Sequence, residues 1–232
     1  MLKKLLESLE HVPPGLLKKA LSGIVWEGTP ESGALALTFD DGPDPNVTPA
    51  VLDVLDEIGA TASFFMVGKQ VQRHPEVARM VVERGHIAGN HSMTHTSMFL
   101  MKRADVECEI DDAGKAIADA TGIEPLWFRP PYGMFDFTTA EIVKDRGLRM
   151  VLWTVLSGDY SDDPPEKILA TVEQFIRPGA VMVFHDTPDG GSENLPDIIR
   201  NIHDNVRAAD VLFRRLDELS FADSFREEPY GD

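Results

Sequence analysis

His91-Ser92-Met93-Thr94-His95 sets two imidazoles four positions apart, and Thr38-Phe39-Asp40-Asp41-Gly42 supplies two adjacent carboxylates well upstream. Residues i and i+4 face the same way on a helical turn, so the two histidines can grip one ion. One carboxylate then completes a three-ligand set that leaves a coordination position for water, the composition of a hydrolytic metal site. The other carboxylate is free to act as a base. Taken singly these features are weak, because adjacent aspartates are usually turn residues and a His-x-x-x-His pair arises by chance.

Such groups act together only if the chain brings them together. Leu35 to Phe39 is a short apolar run that stops at Asp-Asp-Gly-Pro-Asp-Pro, which predicts a buried strand ending in a turn that presents both carboxylates. Thr48 is expected to cap the following helix, with Pro49 at its first position and Gly59 just past its end. Further strands are expected at Ala62–Val67, His86–Ala88, Leu126–Arg129, Arg149–Val155, Ala180–Phe184 and Val211–Leu216. Between them lie helical patterns over Pro75–Arg84, Arg103–Ala120, Thr139–Arg146, Pro165–Ile176 and Pro196–Ala208. In the longest, Val106, Ile110, Ala113 and Ile117 form an apolar stripe.

Alternation of this kind implies parallel strands with helical crossovers, in an open sheet or a closed barrel. Asp40, Asp41, His91, His95, Arg129, Asp159 and His185 all fall at or just beyond the C-terminal ends of predicted strands. Those ends converge on one mouth in a barrel, so the expected fold is α/β, a distorted, incomplete (β/α) barrel of about seven units. The loop from Asp186 to Asn194 is expected to rim that mouth.

A chain of 232 residues with 43% hydrophobic and 26% charged residues fits one globular domain. The net charge of −17 repels phosphates, which argues against nucleic acid as a partner. Cys108 is the single cysteine, so no intramolecular disulfide forms, and its acidic neighbours Glu107 and Glu109 disfavour a thiolate. Residues 1–30 are expected to be a helical segment packing on a domain that spans 31–232, with peripheral membrane contact as the alternative for the leucine- and lysine-bearing part. Charges and Pro13-Pro14 interrupt any secretory core, and no apolar run reaches the ~20 residues of a membrane span, so a cytoplasmic protein is expected. Oligomeric state leaves no signature in the sequence.

The carboxylate and histidine pairs are followed in order by Phe128-Arg129-Pro130-Pro131-Tyr132-Gly133, Ser157-Gly158-Asp159-Tyr160 and Val183-Phe184-His185-Asp186. From about Ala34 to Leu219 the chain thereby resembles the polysaccharide deacetylases with a NodB homology domain, carbohydrate esterase family 4. The resemblance implies a distorted (β/α) barrel and metal-dependent hydrolysis of acetyl groups, mostly on N-acetylhexosamines. By motif position it implies Asp41, His91 and His95 as metal ligands, Asp40 as general base and His185 as general acid. It further implies that Arg129 pairs with Asp40 and keeps it ionised, while Asp159 orients His185 and raises its pKa. Tyr132 would offer its backbone N–H to the oxyanion, and Pro130, Pro131 and Tyr132 would wall the sugar groove.

The ligand set implies one divalent ion, with zinc the best match and cobalt, nickel, manganese or iron(II) sharing such donors. Tyr160 stands where many members carry tryptophan, Leu156 replaces an upstream aspartate and Val183 replaces the usual leucine, positions that bear on the acetyl pocket. Tyr160 keeps an aromatic wall there and adds a hydroxyl. Trp127 and Trp153 fall inside predicted strands and read as core. The expected reaction is N-deacetylation of a glucosamine-containing glycan, oligosaccharide or glycoconjugate. Deformylation, cyclic-amide hydrolysis, or metal and carbohydrate binding without catalysis are the alternatives on the same scaffold.

Overall fold

The structure, a computed structural model, describes residues 23–161, 163–188 and 194–221. Eight strands pair in parallel: β1 (Ala34–Asp40), β2 (Ser63–Met66), β3 (Ile87–Asn90), β4 (Trp127–Phe128), β5 (Arg149–Met150), β6 (Val155–Leu156), β7 (Val181–His185) and β8 (Leu212–Arg214). The helices are α1 (Val47–Ile58), α2 (Gly68–Arg73), α3 (Pro75–Glu83), α4 (Arg103–Thr121), α5 (Phe137–Asp145), α6 (Pro165–Glu173) and α7 (Leu195–Ala208).

The strand order is β5-β4-β3-β2-β1-β7-β6, with β8 joining the first residues of β1. The expected single strand over Arg149–Val155 is therefore two. β5 pairs with β4 at one edge of the sheet and β6 pairs with β7 at the other, although only four residues separate them. Those residues span the gap: the Val151 N–H donates to the Phe128 carbonyl and the Thr154 N–H to the Val181 carbonyl. One interrupted strand thus serves both edges and curls the sheet into the incomplete (β/α) barrel.

Period-two alternation sorts side chains between the two faces of this sheet. Leu35, Leu37 and Phe39 of β1 point outward and pack with Phe64, Met66, Met182 and Phe184 under the helices. Burying each large apolar side chain there stabilises the fold by roughly 1.5–3 kcal/mol. The inward face of β1 carries Ala34 and Ala36, packed with Phe65, Trp127 and Val181, and then Thr38 and Asp40 toward the mouth. Small residues at the base and polar ones at the top leave room inside the barrel for one long side chain, that of Arg129.

Most helices appear within a few residues of expectation. Helix α1 begins at Val47, and its cap is the Asp44 carboxylate, which accepts from the Asn46 and Val47 N–H groups. Thr48 instead sits inside the first turn, where its hydroxyl accepts from the Asp44 N–H and donates to Asp186. The stripe of Val106, Ile110, Ala113 and Ile117 is buried as expected, and Cys108 is exposed on the same helix. Most of the anticipated N-terminal segment, residues 1–22, lies outside the described residues. In its described part, residues 23–30, Val25 forms a parallel bridge to Val151 and a 3-10 turn begins at Pro30.

Candidate metal and catalytic centre

Five strand ends deliver the site. Asp40 closes β1 and Asp41 follows it at a left-handed φ of 78°. His91 follows β3, Arg129 follows β4, and His185 closes β7. Asp159 lies three residues beyond β6.

His91 and His95 do not share a helical turn. They lie in a loop in which Ser92 and His95 both adopt left-handed φ values, of 66° and 58°. The Ser92 N–H donates to the Asn90 side chain and the His95 N–H to the Ser92 hydroxyl. Glu109 of α4 holds the loop from below: it accepts from the Met93 N–H at 3.0 Å, the Thr94 N–H at 2.8 Å and the Thr94 hydroxyl at 2.6 Å. The turn is built from these side-chain bonds, which hold residues other than glycine in a region they rarely occupy.

The imidazoles nonetheless meet one carboxylate. Asp41 Oδ1 lies 2.9 Å from His95 Nε2 and 3.3 Å from His91 Nε2. It is buried and makes no well-formed hydrogen bond. His91 Nδ1 donates to the Arg129 carbonyl at 2.7 Å, which fixes the ring with Nε2 turned to Asp41. Ligand atoms of Asp41, His91 and His95 all fall within 4.8 Å of one another. Donors bound at ~2.0–2.1 Å in a tetrahedron stand about 3.3 Å apart, so the cluster has the size a divalent ion requires. The orphaned oxygen and the converging nitrogens make this triad a group that could hold a metal ion. Burial would raise the pKa of Asp41, but the two imidazoles hold it far below the usual carboxylate range.

Two further pairs flank the triad. Arg129, wholly buried, donates from Nη1 to Asp40 Oδ1 at 2.6 Å and to the Thr38 hydroxyl at 2.8 Å, and from Nη2 to the Leu152 carbonyl at 3.1 Å. Its guanidinium lies 4.1 Å from the centre of the Phe65 ring. Asp40 Oδ2 is left facing the triad, 3.9 Å from His91 Nε2. On the other side, His185 Nδ1 meets Asp159 Oδ1 at 2.7 Å, and the His185 N–H donates to Asp159 Oδ2 at 2.7 Å. Burial opposes the charge of His185, yet the carboxylates of Asp159, Asp40 and Asp41 push its pKa up to about 9.

A cleft of about 510 Å³ opens over these groups, lined also by Pro130, Tyr132, Gly133, Trp153, Leu156 and Tyr160. The residues expected at the site line this cleft or hydrogen-bond to those that do, except Pro131, which was expected as a wall of the groove but is buried behind it. Trp127 is core as expected, whereas Trp153, read as core, forms a wall. Gly133 lies so near this wall that a Cβ there would sit 2.5 Å from Trp153 Cη2. The ring of Tyr132 is 4.6 Å from that of His95, and the ring of Tyr160 stands edge-on to His185 at 5.4 Å.

Glu109, Asn90 and Trp153 were not anticipated as contributors, and Asp186 was expected only to begin a loop rimming the mouth, of which residues 189–193 lie outside the described residues. Asp186 is buried and accepts from the Gly42 N–H and the Thr48 hydroxyl, bracing the turn that presents Asp41. Its burial and the nearby Asp41 charge push its pKa up to about 7. Its position beside His185 was the one available signal.

Residues 27–151 match the family model described as polysaccharide deacetylase. A peptidoglycan-N-acetylglucosamine deacetylase of Bacillus cereus is 36% identical over 184 residues, covering 77% of this chain and 84% of its own. A chitooligosaccharide deacetylase of a Bradyrhizobium species is 36% identical over 186 residues, covering 80% of this chain and 85% of its own. Among solved structures, a peptidoglycan N-acetylglucosamine deacetylase superposes with a TM-score of 0.84 at 25% identity, covering 93% of this chain and all of that one.

Proposed function

Because this chain belongs to the polysaccharide deacetylase family, we propose that it removes an N-acetyl group from a glucosamine-containing glycan, oligosaccharide or glycoconjugate, using a divalent ion held by Asp41, His91 and His95. The observation that carries this reading is the placement of an oriented carboxylate and an oriented imidazole on either side of the triad. Zinc suits two imidazole nitrogens and one carboxylate oxygen, and cobalt, nickel, manganese or iron(II) fit the same donors. A divalent ion there supplies Lewis-acid polarisation of the acetyl carbonyl and lowers the pKa of water from 15.7 toward ~7.

The chain's own residues manage the protons. Arg129 occupies Asp40 Oδ1, so Oδ2 is the oxygen that takes the proton from the attacking water. The water oxygen bonds to the acetyl carbon, and the tetrahedral centre collapses by breaking its bond to nitrogen. Amines leave badly as anions, so the nitrogen must be protonated as that bond breaks. His185 commits Nδ1–H to Asp159, which assigns the transferred proton to Nε2. The backbone N–H of Tyr132 is the donor assigned to the oxyanion. Acetate and a free amine result.

Metal-loaded protein supplied with chito-oligosaccharides and peptidoglycan fragments should release acetate. Chelation should stop the release and added metal restore it. No acetate from any acetylated glucosamine compound, with the metal bound, would overturn the reading.

A further inference from the structure

We infer that the substrate carries a hydrocarbon group beside its acetylated sugar, received by an apolar strip of Phe99, Leu100, Met134 and Phe137 that continues outward from the cleft; this rests on the sugar-deacetylase reading above. Two loops leave the metal-binding cluster together. One runs from His95 to α4 and carries Phe99, 50% exposed, and Leu100, 77% exposed. The other runs from Tyr132 into α5 and carries Met134, 45% exposed, and Phe137, 88% exposed. Large apolar side chains left exposed on neighbouring loops point to an interaction surface.

The loops form one surface. The Leu100 N–H donates to Asp136 Oδ2 at 3.2 Å, and the other oxygen of Asp136 caps α5 through the Thr139 N–H. Met98 is fully buried between them in the core, with Met101 and Phe135 packed against the same cluster. The inner ends of the loops are site residues, His95 and Tyr132, whose tilted rings lie 4.6 Å apart. At ~3.3–3.6 Å per residue, Phe99 lies at most about 14 Å from His95, and Met134 at most about 7 Å from Tyr132. A substituent on a sugar held in the cleft would need to reach no farther than these distances to meet the strip.

Leu100 is held at a φ of 60°, a region a leucine seldom adopts, while its side chain gains almost no packing in return. Outliers of this kind concentrate where a ligand is held. None of the four side chains has a hydrogen-bonding group. Sugar rings are recognised by aromatic faces together with polar partners, so the chemistry that fits this strip is hydrocarbon.

Calorimetry with octyl and methyl glycosides of glucosamine tests this on the full chain, below micelle-forming concentration. Both compounds are already deacetylated, so no turnover intrudes. Each buried methylene strengthens binding by ~fourfold, so covering two of them makes the octyl compound at least about tenfold tighter. The double variant Leu100→Asn, Phe137→Ser should reduce that ratio below about three and leave methyl-glycoside binding unchanged. Both side chains are exposed, and asparagine tolerates the left-handed φ, so the variant should fold.

Equal binding of the two glycosides by the wild type, or a ratio that survives in the double variant, would overturn the inference. So would an absence of octyl preference combined with wild-type-only sedimentation on phosphatidylcholine vesicles, which would assign the strip to a bilayer. Self-association abolished by the variant, again without octyl preference, would assign it to a second copy. An octyl preference with no acetate released from either acetylated glycoside would remove the deacetylase reading and leave the strip as a glycolipid-binding surface.

Discussion

Replacing Glu109 with alanine should weaken metal binding by about 10–100-fold, although no atom of Glu109 belongs to the proposed triad of Asp41, His91 and His95. The carboxylate accepts three hydrogen bonds, from the Met93 and Thr94 N–H groups and the Thr94 hydroxyl, and these hold the turn that carries His95. Hydrogen bonds to a charged acceptor contribute about 1.5–3 kcal/mol each, but the region is only part-buried and water replaces much of what is lost. A net loss near 1.4–2.8 kcal/mol corresponds to the stated range. Glu109→Gln keeps one oxygen for the two backbone donors and turns its amide toward the Thr94 hydroxyl, so it should stay within a few-fold of wild type. Competition against a fluorescent chelator reads the affinities, and acetate release should recover in excess metal. Glu109→Ala protein with wild-type metal affinity would refute the reasoning, because His95 would then be positioned without this support.

Asp40→Asn should retain stoichiometric metal yet lower kcat by about 10²–10⁴-fold, as measured by acetate release, and should leave Arg129 buried without its counter-charge. Breaking such a pair costs about 3–5 kcal/mol, which urea unfolding would show. His185 has a folded pKa of about 9, above its ordinary 6.5. The stability linked to it is therefore fully present below about pH 6.5 and lost as pH rises through about 9. The alkaline limb of the rate profile should lie above pH 6.5 in the wild type and move toward it in Asp159→Asn. An unmoved limb would contradict the pairing. Gly133→Ala places a methyl group against Trp153 at a φ of 63°, and should lower kcat/KM about tenfold while leaving metal content intact. Steady-state kinetics beside metal analysis separates the two effects.

Legibility in the sequence followed how local the determinants were. The strands β1, β2 and β7 are buried on both sides and read as short apolar runs, and their polar ends Asp40 and His185 betray the mouth. The break between β5 and β6 is invisible in the run Arg149–Val155, because it is set by which strands lie across the barrel. The four-residue spacing of His91 and His95 does bring two imidazoles to one carboxylate, but on a loop and not on the helical turn that the spacing suggested. A loop can close the same distance when distant partners hold it, and Glu109 is one of those partners. Trp153 sits in an apolar run like any core residue, and only the folded chain shows that it lines the cleft beside Gly133. Helix α1 exchanged caps for a similar reason: the Thr48 hydroxyl is engaged by Asp186, a residue far along the chain.

Anomalous diffraction at the absorption edge of zinc, from crystals of zinc-loaded protein, tests most directly whether Asp41, His91 and His95 hold an ion. A single strong peak about 2.0–2.2 Å from an Asp41 carboxylate oxygen and from Nε2 of both histidines is the expected result. A peak elsewhere, or none in crystals whose protein carries stoichiometric zinc, would contradict the account.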